Sequence, residues 1–188
     1  MTVILGVDPG LTRMGVGIIK QGRGRGVSLI HVETLRTPAG TEVSSRIGAL
    51  SEALAKILDE FAPDVVALER VFAQHNVSTV MGTAQISGVV LALAQERSIP
   101  VSLRTPSEVK AAVTGYGRAS KAQVGALVAK ILGLEEVPQP ADAADALALA
   151  ITEAWRGQSR EISASPLTPA QKAWRDAEQK AKRPKLTR

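Results

Sequence analysis

The chain has no cysteine, two histidines and only 3% aromatic residues among its 188. Without cysteine there are no disulfides, no thiolate metal sites and no cysteine nucleophile. That composition suits a reducing compartment, and the cytoplasm is the expected one. With so few aromatics, Val, Leu, Ile and Ala must fill the core, and the 45% apolar fraction supplies them. Long apolar runs are missing too. No window approaches the roughly 18 uncharged apolar residues of a membrane span, so none is expected. The opening MTVILGVDPG has no basic segment before its apolar run and reaches Asp8 too early for a signal peptide.

The net charge of +5 is unevenly placed. Residues 1–157 hold 15 basic and 15 acidic side chains, whereas 158–188 hold 8 and 3. The positive excess is therefore a property of the tail. Such a tail binds nucleic acid or only aids solubility, and charge alone does not choose between them.

What is present is a change of hydrophobic period along the chain. VILGVD at 3–8 is apolar and β-branched, as in a buried strand. Strands GVGIIK at 15–20 and VSLIHVETL at 27–35 follow, joined by short turns that predict an antiparallel meander. The stretch 44–61 places Ile47, Leu50, Leu54, Ile57, Leu58 and Phe61 on one helical stripe. A short strand at 65–69, a helix at 77–96 and a strand at 99–103 come next. Thr105-Pro106 opens another helix, and Ser120 with Gln123 forms a capping box for the one after it. Pro140 precedes a last helix, expected to end near 155. Right-handed crossovers then predict an α/β fold whose five-stranded mixed sheet has the order 3-2-1-4-5, with helices on both faces. The expected organisation is a domain over 1–156 and a basic tail over 157–188.

This topology gathers carboxylates. Asp8 and Glu69 end two strands predicted to be parallel neighbours, at the edge where α/β folds place their sites. Asp142 and Asp145 are three apart in the first turns of a nearly all-apolar helix. Each acid alone has an ordinary explanation: a turn residue, a surface glutamate, or charges complementing a helix dipole. Four together are costly, since one like pair at about 4 Å repels by on the order of 4 kcal/mol at an effective dielectric of 20. A bound cation is the natural compensation. An all-oxygen donor set favours Mg²⁺ or Mn²⁺ over Zn²⁺, and two such ions suit phosphodiester cleavage. For DNA contact, the loop TGYGRASK at 114–121 offers Tyr116 for stacking and Arg118 and Lys121 for phosphate, just before a helix N-terminus. Arg13, Lys20, Arg23 and Arg25 around the first hairpin either track a backbone or are simply solvated. His31 and His75 are not needed for catalysis, and Trp155 is expected to seal the last helix.

The segments GVDPGLTRMGVG, ALERVF, TPSEVKAAVTGYGRASKAQV and PADAADALALAI, in this order and spacing over about 1–156, resemble the bacterial RuvC family of Holliday junction resolvases, of RNase H-like fold. The resemblance implies that Asp8, Glu69, Asp142 and Asp145 are the catalytic metal ligands. It also implies that Lys121 contacts DNA phosphate near the site, that Lys110 belongs to the DNA surface and that Phe72 probes the junction centre. It implies a homodimer that nicks a four-way DNA junction symmetrically, following a branch-migration motor complex of the RuvA-RuvB type. The chain departs from the family at 83–88, where TAQISG puts Ala84 and Ser87 in place of common Gly and Arg. Three other readings compete, one of them a noncatalytic binding scaffold. An RNase H-like nuclease acting on another nucleic acid would need the same acids. An actin-like or sugar-kinase-type nucleotide-binding domain would use DPGLTRMG as a phosphate loop, yet no second glycine-rich strand-turn motif appears.

Overall fold

Three strands, β1 (Val3–Asp8), β2 (Arg13–Gln21) and β3 (Val27–Arg36), form the antiparallel meander. The structure is a computed structural model describing residues 1–71 and 77–163, with side chains described for 1–71 and 80–156. Helix α1 (Val43–Phe61) crosses to β4 (Val65–Glu69), which pairs parallel to β1. Helix α2 (Val77–Glu96) then crosses to β5 (Val101–Arg104), parallel to β4. Helices α3 (Pro106–Thr114), α4 (Lys121–Leu132) and α5 (Ala141–Ser163) complete the order. The sheet order is β3-β2-β1-β4-β5, as the sequence predicts. Residues Met1–Trp155 form one compact unit, and Arg156–Arg188 form another.

The period-2 alternation of the strands builds two cores. Leu5, Val7, Met14, Val16, Ile18, Val66 and Leu68 face α1 and α2. The opposite parity, with Ile4, Ile19 and Ala67, faces α3, α4 and α5. Asp8 and Glu69 share this second parity, so both carboxylates belong to the α5 face.

Glycine decides how close α5 comes. A Cβ at Gly6 would lie 2.0 Å from the Ala146 carbonyl oxygen, one at Gly15 would lie 2.0 Å from the Asp142 carbonyl oxygen, and one at Gly17 would lie 2.8 Å from Leu147. The helix answers with small residues: Ala143, Ala144, Ala146, Ala148, Ala150 and Ala154 are all buried. Backbone therefore lies against backbone where α5 crosses β1 and β2.

Element ends differ from the sequence reading for local reasons. Strand β5 starts at Val101 rather than 99, because Pro100 has no N–H to donate and enters only as an acceptor, for the Val66 amide at 3.0 Å. Helix α5 passes Trp155 and reaches Ser163. No proline follows Trp155 until Pro166, and Gly157 alone costs a helix only about 1 kcal/mol. Trp155 is therefore a lateral anchor and not an end seal: its indole N–H donates to the Arg25 carbonyl at 3.0 Å, and the Arg25 guanidinium stacks 3.9 Å from its ring centre. Both expected caps are present, with full capping boxes at Thr105/Glu108 and Ser120/Gln123.

Replacing Gly15 or Gly6 with Ala should destabilise the protein by roughly 1–3 kcal/mol or more, since the new methyl meets backbone that cannot yield. Gly48→Ala, in an exposed helical position with nothing within 4 Å, should instead stabilise by about 0.5–1 kcal/mol. Urea denaturation of the three variants reads both signs.

Candidate active site

The carboxyl ends of β1 and β4 lie side by side, since Val7 pairs with Leu68 and the next residues are Asp8 and Glu69. Helix α5 delivers Asp145 to the same place. A cavity of about 210 Å³ is lined by Asp8, Glu69, Asp145, Lys110 and Lys121 on its polar side. Pro106, Val109, Val124 and Leu149 form its apolar side. Asp142 lies in the wall of a neighbouring cavity together with Arg13. The four predicted acids thus divide into three around one pocket and one beside it. Two helical residues three apart differ by about 60° around the axis, which is enough to turn their carboxylates towards different hollows.

The electrostatics of the pocket follow from its shape. Asp8 has its pKa raised to about 8, first by burial and then by the negative charge of Glu69 and Asp145. Glu69 is also raised by burial, and partly restored by a hydrogen bond with Asp8. Two cations occupy the remaining acids. Lys121 Nζ donates to Asp145 at 2.6 Å, a bond that raises the lysine pKa. Arg13 Nε lies 3.0 Å from Asp142. Among the described residues no three His, Asp or Glu side chains stand together as a ready ligand set. The two ion pairs account for this, because each turns one carboxylate towards a basic side chain.

The donor chemistry fits a hard divalent cation. The pocket has three carboxylates and no nitrogen or sulfur ligand among its walls, the set that suits Mg²⁺ or Mn²⁺. A buried carboxyl whose ionisation is opposed by the like charges of Glu69, Asp145 and Asp142 gains most from such an ion.

The other expected residues fall in three groups. Lys110 and Lys121 reach the pocket. Tyr116, 59% exposed, and the exposed Arg118 stand on the α3–α4 loop outside its walls. Phe72 and His75 lie outside the described residues. Of the hairpin basics, Arg13 is committed to Asp142 and Arg25 to Trp155. His31 stacks on Phe61 and bonds to Glu33, a sheet-surface role. Sequence reasoning missed the apolar wall and one charged residue, Arg46. The signal for Arg46 was available: it lies four before Leu50, on the apolar stripe of α1, and is buried there.

A family profile described as crossover junction endodeoxyribonuclease RuvC matches residues 4–153. The chain belongs to the RuvC family. It is 52% identical to a crossover junction endodeoxyribonuclease RuvC of Leifsonia xyli subsp. xyli, over 97% of this chain and 95% of that protein. It is 59% identical to the protein of that name from Saccharopolyspora erythraea, over 81% and 77%. Among solved structures it is similar to T. thermophilus RuvC in complex with Holliday junction substrate, at 33% identity and a TM-score of 0.81, covering 85% of this chain and 97% of that one. The RNase H-like fold expected from the sequence is therefore the fold present. Of the two departures from the RuvC pattern on α2, Ser87 is turned inward, with its hydroxyl donating to the Thr83 carbonyl at 2.9 Å. Ala84 is exposed.

The raised Asp8 pKa has a consequence for the metal-free protein. Its folded-state value, about 8, lies above the ordinary 3.8. The stability it contributes is full below about pH 4 and is lost as pH rises towards 8. Asp8→Asn removes this dependence. In a chelator, the Tm of the variant minus that of the wild type should grow between pH 5 and pH 8. Adding Mg²⁺ should raise the wild-type Tm and leave the variant's nearly unmoved. A pH-independent difference in thermal scans would contradict the assigned burial of charge.

Proposed function

We infer that this protein is a structure-selective DNA endonuclease that resolves four-way junctions by paired, symmetric nicks. The observation that carries this reading is the convergence of Asp8, Glu69 and Asp145 on one half-apolar pocket beside Asp142, in a chain of the RuvC family. We assign the nuclease domain to residues 1–156 and keep 157–188 as a basic appendage. The working form is a cytoplasmic homodimer acting in recombination and repair, supplied with junctions by a branch-migration motor complex.

The four carboxylates hold the metal, Mg²⁺ or Mn²⁺, two ions per site. Bound metal supplies Lewis-acid activation of water and stabilisation of the charge that develops on the leaving 3′ oxygen. The protein's own groups do the rest. Asp8 and Glu69, fixed on strand ends, define the position of the scissile phosphate, and Asp145 approaches it from the helix. With Asp145 engaged by metal, Lys121 would be released from it, and Lys121 and Lys110 on the pocket wall would meet phosphate oxygens. Val109, Val124 and Leu149 limit the water around the reacting group and strengthen the local field. We assign contact with the flanking DNA to Tyr116 and Arg118, exposed on the loop before α4, to Arg13 near Asp142, and to Phe72, which follows β4 in sequence.

Strand mapping on a synthetic immobile junction, a linear duplex and an RNA–DNA hybrid, each with Mg²⁺ and with Mn²⁺, tests the substrate. The expected result is a pair of symmetric nicks in the junction, each with a 5′-phosphate end, and little cutting of the other two. Equal cutting of all three would reassign the protein to a general RNase H-like nuclease. Asp8→Asn should lose detectable cleavage while still binding the junction, because a metal ligand is lost and the basic contacts remain.

A further inference from the structure

Beside the acid pocket is a second hollow of about 340 Å³ whose walls include Gly10, Thr12, Arg13, Arg46, Thr83 and Asp142. Its unusual member is Arg46, 8% exposed. The guanidinium Nε donates to Thr37 Oγ1 at 3.0 Å, Nη2 donates to Thr12 Oγ1 at 2.6 Å, and Nη1 donates to the Ala39 carbonyl at 3.5 Å. All three acceptors are neutral. None of the ion pairs among the described residues includes Arg46. A guanidinium has five N–H donors, and these bonds account for three. Burying a charge without a counter-ion is costly. In the same wall Asp142 is already paired with Arg13. Two guanidinia against one carboxylate leave the hollow with a single uncompensated positive charge.

A phosphodiester carries one negative charge and presents planar pairs of oxygens that match a guanidinium fork. We propose that this hollow receives a backbone phosphate of the bound DNA strand, close to the one held at the acids, with Arg46 as its buried ligand. The proposal rests on the nuclease reading above and adds a subsite to it. Arg46 is well suited to the task because its three neutral bonds fix its orientation. They tie the β1–β2 turn, through Thr12, to the β3–α1 connection, through Thr37 and Ala39, so the fork is preorganised before DNA arrives.

The test measures junction binding by fluorescence anisotropy without divalent metal, so that no strand is cut. Arg46→Lys loses the fork, and Thr83→Glu puts a carboxylate into the wall without touching Arg46. Each should weaken binding roughly tenfold, the worth of one charge-assisted contact, and Thr83→Glu, which cancels the positive charge, should also lower the salt slope by about one. Single neutral methylphosphonates are then placed along the strand around the nick. In the wild type, one position flanking the nick should weaken binding. In Thr83→Glu that position should cease to matter while the others keep their effect. A Thr83→Glu protein with wild-type affinity and an unchanged methylphosphonate profile would overturn the proposal, and this variant decides the matter if Arg46→Lys does not fold. Wild-type protein that neither binds nor cuts a junction would instead overturn the nuclease reading itself. Junction cleavage with an unmoved Thr83→Glu profile would overturn the subsite alone.

Discussion

The contact between α5 and the β1–β2 pair is the constraint from which the rest follows. Gly6, Gly15 and Gly17 leave a floor without side chains, and the Ala146 and Asp142 carbonyls of α5 settle into it. An ordinary helix–sheet interface is separated by two layers of side chains. Here part of one layer is missing, so the helix axis comes nearer to the sheet. That approach brings the first turns of α5 to the carboxyl ends of β1 and β4. Asp145 then reaches Asp8 and Glu69 with a short aspartate side chain. A bulkier residue at any of these glycines would lift the helix and open the acid pocket, so a packing detail at the sheet centre governs geometry at its edge.

Repulsion follows from that proximity, and the fold tolerates it in three ways. A proton is retained on Asp8, whose pKa is raised to about 8, and its hydrogen bond to Glu69 relieves one pair of charges. Lys121 covers Asp145, and Arg13 covers Asp142. These are exchangeable compensations: a proton and two flexible cations yield to a divalent ion more readily than a buried, rigid salt bridge would. The contrast is within the same helix. About two to three turns farther along α5, Glu153 is bound by Arg104 and accepts from Ser102 at 3.1 Å, with both ionic side chains largely buried. That pair anchors β5 to α5 and is structural, whereas the pairs at Asp142 and Asp145 have exposed basic partners, with 57% and 73% of the Arg13 and Lys121 side chains accessible.

Much of this was legible beforehand because it depends on local period and connection length. The alternation of β1, the stripe Leu50–Leu54–Ile57–Leu58 and the short meander turns together fix the sheet order, and the order fixes the neighbours of Asp8 and Glu69. The close approach of α5 was not legible. Gly6, Gly15 and Gly17 read as strand residues with weak propensity, and only the three-dimensional crossing shows that their missing Cβ atoms share one purpose. The splitting of the helical acids was hidden for a similar reason: spacing by three says that Asp142 and Asp145 share a face, but not that a boundary between two hollows runs through it. Arg46 was overlooked because it takes a core position with a charged side chain, where an apolar stripe is read by its apolar members.

The boundary gives the site its polarity. The acid pocket has three carboxylates against Lys110 and Lys121. Its neighbour has Arg13 and Arg46 against Asp142. With Asp8 ionised, the first hollow is formally negative and attracts cations, and the other is formally positive and attracts anions. They adjoin at the first turns of α5, where the helix dipole adds partial positive charge. A body with 15 basic and 15 acidic side chains over 1–157 has little net field with which to draw in a polyanion from a distance. What it has is charge separated over a short span, strong only at contact and in low dielectric. Such an arrangement discriminates by fit: on the proposed assignment, a strand is held well only when one phosphate meets the acids while a neighbouring one meets the guanidinia. For an enzyme that must ignore abundant duplex and act at a rare branch point, weak long-range attraction combined with strong local matching is the more selective distribution of the same charges.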